Sequence, residues 1–243
     1  MVAEDTTVYL AIGALLGIVW VVLAAVVSRA SGDGRLIGFI ATVPALSMGL
    51  AYVLMHLEVL TVETAGRDQS VVRFIGYTFA ILALTYILYR AARLPTTVAY
   101  LLAGLFLATL WVQLVGWFLT GALESLVTAL GLGVFVASAY VLFGPAERFA
   151  AETGGSRQLL YEKLRNLWII CYGTLIVTSA ASEQVLGILT PFVSSVAAGY
   201  VDLVWFAGIG FLTLSALHAF DESEAVDSQV VYDDTSAESE PTS

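Results

Sequence analysis

Seven apolar stretches follow one another along the chain, at roughly 8–28, 36–56, 71–91, 97–118, 124–143, 166–187 and 191–219. At about 1.5 Å of rise per residue, each can cross a hydrocarbon layer roughly 30 Å thick. No water is available in that layer to pair with backbone N–H and C=O groups, so a crossing segment must be a helix or part of a closed barrel. The stretches are continuous rather than alternating, which selects helices. This pattern predicts an all-α membrane protein, a seven-transmembrane-helix bundle. Composition agrees: 59% of residues are hydrophobic and 12% charged, against about 25% charged in a soluble domain.

Turn chemistry separates the stretches, at Ser31-Gly32-Asp33-Gly34, Thr64-Ala65-Gly66-Arg67-Asp68, Arg93-Leu94-Pro95, Thr120-Gly121 and Gly154-Gly155-Ser156. The first stretch has no basic residues before it, so it reads as a retained helix rather than a cleaved signal. Arg29, Arg35, Arg90, Arg93, Arg148, Arg157, Lys163 and Arg165 fall on one side of the bundle; Arg67 and Arg73 fall on the other. The positive-inside rule then predicts an outside N-terminus and an inside C-terminus. The expected organisation is a short extracellular N-terminus over 1–7, a transmembrane domain over 8–220, and a cytoplasmic tail over 221–243. The tail is rich in Asp and Glu and has no basic residue, which predicts disorder. The net charge of −10 with a single lysine suits a high-salt cytoplasm, where screening lengths shrink to about 3 Å at ~1 M salt, and points to the cell membrane of a halophilic archaeon.

The same charge balance excludes nucleic acid as a partner; the lipid bilayer is the expected one. A lone cysteine, Cys171, reads as inert packing. No nucleophile–base pair or metal triad is visible, so no enzyme and no metal centre is expected. His56, Glu58 and Glu63 lie near one another at a helix end, where a solvated end is favoured over a weak divalent site. Gln113, between Trp111 and Trp117, predicts an interhelical hydrogen bond. Gly131-Leu132-Gly133 and Gly208-Ile209-Gly210 predict close helix contacts rather than a nucleotide loop, since neither follows a strand.

Three stretches sharpen the picture. Thr42-Val43-Pro44-Ala45 is followed by Tyr52 and Met55; Arg73-Phe74-Ile75-Gly76-Tyr77 opens the third span; Tyr140-Val141-Leu142-Phe143-Gly144 leads through a polar loop to Lys163-Leu164-Arg165-Asn166. With Asp202 in the seventh span, these resemble the microbial rhodopsins, the bacteriorhodopsin-like haloarchaeal opsins, over about residues 8–220. The resemblance implies that Arg73 and Asp202 face each other across the bundle as a buried ion pair. A charge at a helix centre costs about 2.5–3.5 kcal/mol on insertion scales and needs such a partner. A polar site for a proton, ion or ligand is the alternative role of the pair. Tyr52, Tyr77, Tyr172 and Tyr200 are candidates to add hydroxyls there. Relatives of this kind form oligomers, so a homo-oligomer is expected by resemblance.

The departures from the family pattern bear on function. The family binds retinal as a Schiff base on a lysine one turn after the aspartate. Here that place is Phe206, and the chain's single lysine is Lys163, at the start of the sixth span. Arginine stays protonated and cannot substitute, so covalent retinal is excluded. The other pocket positions are degenerate too. The third-span counter-ion position holds Gly76, followed by Tyr77 where the family has tryptophan. The proton-donor position holds Ile87, and the sixth-span cage reads Tyr172, Leu175 and Ser179. Glu124 and Glu183 lie near outer helix ends, where the family has release carboxylates, but the path leading to them is broken. Four readings follow. The first is a non-photoactive accessory or regulatory protein that contacts rhodopsins or a transducer in the same membrane. The second is a sensor holding retinal, another isoprenoid or a lipid noncovalently. The third is an ion or proton transporter gated by Arg73 and Asp202, and the fourth a light-driven rhodopsin, which the missing lysine opposes.

Overall fold

Each apolar stretch satisfies its backbone by closing into a helix, and the turn residues between them set where each helix stops. The computed structural model describes residues 2–30, 32, 34–64, 67–182 and 186–220, with side chains placed for those outside 2–6 and 63–69. The elements in chain order are α1 (Val2–Val27), α2 (Gly34–His56), β1 (Thr61–Thr64), β2 (Arg67–Ser70), α3 (Val71–Ala91), α4 (Thr96–Trp117), α5 (Ala122–Phe143), α6 (Pro145–Thr153), α7 (Gly155–Ala181) and α8 (Pro191–Ser215). Among the described residues, seven spans are long and apolar enough to cross a membrane, α5 and α6 counting together as one. The chain is a multi-pass membrane protein.

Consecutive helices pack side by side and α8 returns to α1, closing a ring. The buried side chains lie mainly on α2, α3, α7 and α8. Two glycines hold the inner seams. A Cβ on Gly76 of α3 would lie 2.8 Å from Ala51 Cβ and 2.9 Å from Met48 Sδ, so α2 and α3 approach as only glycine allows. There the Ser47 hydroxyl donates to the Gly76 carbonyl at 3.2 Å. Gly210 of α8 sits directly against Leu23 of α1. Gly208 packs on Leu167 and Gly131 on Val112, as the small-residue pattern predicts; Gly133 meets no neighbour and faces outward.

Two expectations need correction. The stretch between the fifth and sixth spans is not a loop: α6 fills it, and α7 begins at Gly155, eleven residues ahead of the apolar run expected from 166. Pro145 at the first position of α6 presets its φ, and Gly144 permits the break. Gly154 and Gly155, at φ +63° and +51°, separate α6 from α7 as expected. The turn after α2 is an antiparallel β1–β2 hairpin pairing Thr61 with Ser70. Residues 2–7, expected as a short extracellular N-terminus, are helical as the start of α1, and the candidate span begins at Thr7. The acidic tail and Glu183 lie outside the described residues.

Candidate functional site

Asp202, half-way along α8, has no exposed surface, and its carboxylate organises the middle of the bundle. Arg73 of α3 donates from Nη2 to Oδ2 at 2.9 Å. Tyr52 of α2 donates to the same oxygen at 2.5 Å. Tyr77, one turn after Arg73, donates to Oδ1 and Oδ2 at 2.7 and 2.8 Å and accepts from Arg73 Nε at 3.2 Å. The guanidinium also lies 5.8 and 5.4 Å from the Tyr52 and Tyr77 ring centres. The carboxylate is thus neutralised and saturated by three side chains from α2 and α3, which is what a charge in this setting requires.

The ion pair read from the sequence is therefore present, with two of its four candidate tyrosines. The other two go elsewhere. Tyr172 donates from α7 to the Thr109 carbonyl of α4 at 3.2 Å and to Gln113 Oε1 at 3.3 Å, which supplies the interhelical bond expected of Gln113. Tyr200 is 67% exposed on the outer face of α8. It precedes Asp202 by two residues, about 200° round the helix.

Next to Asp202 the interior is filled by rings. Phe206 is fully buried, stacked on Trp205 at 4.9 Å and 5.7 Å from Tyr77. Trp205 meets Trp168 edge-on at 5.2 Å, Trp168 stacks on Tyr172 at 5.0 Å, and Phe106 of α4 stacks on Trp168 at 4.0 Å. Neither indole N–H finds an acceptor. Trp168 and Trp205 were not singled out in the sequence; the signal was there in Trp168 standing one turn before Tyr172, and Trp205 beside Phe206. Ile87 is buried on α3. Cys171 is buried and unpaired, as packing requires.

Two cavities flank this plug. One, about 180 Å³, lies between α3, α4, α7 and α8 beside Arg73. The other, about 220 Å³, lies between α4, α5 and α7 and includes Glu124. Leu175 lines the first and Ser179 both. Among the described residues no three His, Cys, Asp or Glu side chains gather where a metal ion could be held, and His56 and Glu58 form no such group.

No family model matches the chain. Its sequence is 27% identical over 167 residues to sensory rhodopsin-2 of Natronomonas pharaonis, covering 69% of this chain and 70% of that protein. Its fold is similar to that of thermophilic rhodopsin from Rubrobacter xylanophilus, with a TM-score of 0.82 at 17% identity over 89% of this chain and 97% of that one. It is also similar to a light-driven proton pump, the rhodopsin of Coccomyxa subellipsoidea, with a TM-score of 0.79 at 15% identity over 87% and 96% of the two chains.

Proposed function

From the premise that this chain belongs to the microbial rhodopsins by sequence and fold, we propose that it is a non-photoactive member, working through helix contacts with other membrane proteins. One observation carries the reading. The last span has no lysine, and Phe206, where the family's attachment point is expected, is sealed into a continuous aromatic stack. The residues present do not fit covalent retinal. The amine is missing, the rings of Trp205 and Phe206 occupy the adjoining space, and Gly76 leaves no room for a counter-ion carboxylate against α2. Arg73, Tyr52 and Tyr77 already satisfy Asp202, so it needs no Schiff-base cation.

A bundle kept intact around a disused site is suited to a role carried by its surface. The relative whose sequence matches is named a sensory rhodopsin, and this chain's partners are accordingly rhodopsins or a transducer in the same cell membrane, with a homo-oligomer as the resting form. The outside N-terminus, inside tail and halophilic setting belong to the same reading, which assigns no enzymatic activity. The transporter reading is set aside, because the polar groups at the bundle centre are consumed by one another. The test is the absorption spectrum of the purified protein with and without all-trans retinal, followed by co-purification from its own membranes in mild detergent. No red-shifted band and a co-purifying rhodopsin or transducer are expected. A saturable red-shifted band overturns the first half of the proposal; absence of any such partner overturns the second.

A further inference from the structure

The larger cavity, about 220 Å³ between α4, α5 and α7, has a single charged residue in its wall, Glu124. Among the described residues no lysine or arginine lines it. Arg73 lines only the smaller cavity, and its charge is met by Asp202. The Glu124 side chain makes no hydrogen bond or ion pair among the described residues. It stands in the first turn of α5, where free N–H groups and the helix dipole attract negative charge. Along α5 the lining runs from Glu124 through Val127, Thr128 and Gly131 to Leu132, about 12 Å of helix with the acid at one end. Val112 and Ile176 add hydrocarbon from the facing helices, and Trp117 and Tyr172 add rings.

We infer that this cavity binds one small organic cation, an ammonium carrying hydrocarbon groups, with its charge at Glu124 and its apolar part between α4, α5 and α7. The ligand is a cation because the wall offers one unbalanced anion in apolar surroundings, where charges act on each other more strongly than in water. Aromatic walls reinforce the same choice, since tryptophan and tyrosine rings attract ammonium groups. It is singly charged because there is one carboxylate to meet it. It is organic because a metal ion needs several oxygen, nitrogen or sulfur ligands, and among the described residues no three His, Cys, Asp or Glu side chains gather to supply them. Its hydrocarbon part follows from Val112, Val127, Leu132 and Ile176, which would gain nothing from a hydrated ion. A quaternary ammonium and a protonated amine share this chemistry. The site is interior, so it stands apart from the partner contacts proposed above.

Titration calorimetry of the full chain in non-ionic detergent, against a blank of protein-free micelles, tests it. The probes are phenyltrimethylammonium, hexylammonium and tert-butylbenzene, the last being the uncharged isostere of the first. At least one cation is expected to bind once per chain and saturate, more tightly than tert-butylbenzene, and the better cation tells a quaternary head from a protonated amine. Glu124→Gln is expected to weaken cation binding about tenfold or more, the worth of one contact to a charged group, and to leave tert-butylbenzene unaffected. Gly131→Leu is expected to abolish binding by filling the cavity, where a Cβ meets only Val112 at 3.5 Å; Thr128→Leu serves if that variant does not fold. No saturable cation binding, equal binding of the uncharged isostere, or cation binding untouched by Glu124→Gln or by the space-filling change overturns the inference. Any of these leaves the partner reading standing, since that reading is judged by co-purification.

Discussion

Replacing Asp202 by Asn changes the charge at the centre of the bundle while nearly preserving shape. Asn keeps one acceptor oxygen, but it presents an NH₂ group to donors that had been satisfied by Oδ2: Tyr52 at 2.5 Å and Arg73 at 2.9 Å. Arg73 is left as a cation inside an apolar bundle. Removing one member of a buried ion pair costs about 3–5 kcal/mol. The Arg73 side chain is 21% exposed, so solvent relieves part of that cost and the lower end, about 3 kcal/mol, applies. For a chain of this size that corresponds to a fall in melting temperature of about 6–12 °C. Arg73→Gln should cost a similar amount by stranding the carboxylate. Combining the two leaves no charge, so the double variant should be more stable than the sum of the single effects implies, with a coupling of at least ~1 kcal/mol. The assay is thermal unfolding of the detergent-solubilised chain followed by helical circular dichroism. A melting point for Asp202→Asn within about 2 °C of the parent, or strict additivity in the double variant, refutes the claim that this pair anchors α3 to α8.

Gly76→Ala should lower stability by about 1–3 kcal/mol, because its methyl would lie 2.8 Å from Ala51 Cβ; Gly76→Asp should cost more, and a parent-like melt for Gly76→Ala refutes the tight α2–α3 seam. Phe206→Lys should not restore a pigment, since Trp205 still stacks beside that position; a red-shifted band with retinal that hydroxylamine removes would refute this. Trp205→Phe should cost less than ~3 kcal/mol, below a truncation to Ala, because only packing is lost and the indole N–H has no acceptor. Urea or thermal titration giving a larger loss would mean that the N–H is paired in solution.

The seven spans were legible because hydrophobic run length is itself the constraint that a bilayer imposes. What the sequence hid was structure without that signal. Residues 145–153 carry charged and apolar residues together, and they fold as α6 by burying only Ala146 and Ala150, one turn apart. The β1–β2 hairpin is short and mostly polar, so neither alternation nor run length marks it. At the centre, the need of Asp202 for a partner was legible because unpaired charges do not survive there, and the resemblance pointed to Arg73. The placement of tyrosines was harder, since a hydroxyl near a charge in sequence can stand on the opposite face. Tyr77, four residues after Arg73, shares its face; Tyr200, two before Asp202, does not. The cavities were invisible because they lie between helices, one among α4, α5 and α7 and the other among α3, α4, α7 and α8, a property of packing rather than of any one segment.

The altered positions at the centre depend on one another. Gly76 lets α2 come close enough for Tyr52 on that helix to reach Asp202. The Tyr77 hydroxyl both receives from Arg73 and donates to Asp202, so it links cation to anion. With the carboxylate so occupied, the next turn of α8 has no charge to accommodate, and Phe206 can be wholly apolar and stack with Trp205. Each substitution thereby removes the requirement that would have kept its neighbour polar. A lysine at 206 would enter a neighbourhood whose buried carboxylate, Asp202, is already committed to Arg73 and two tyrosines, beside a Gly76 seam with no room for a further side chain. Asp202 serves here as a fixed joint between α2, α3 and α8. The arrangement therefore resists reversal by any single change.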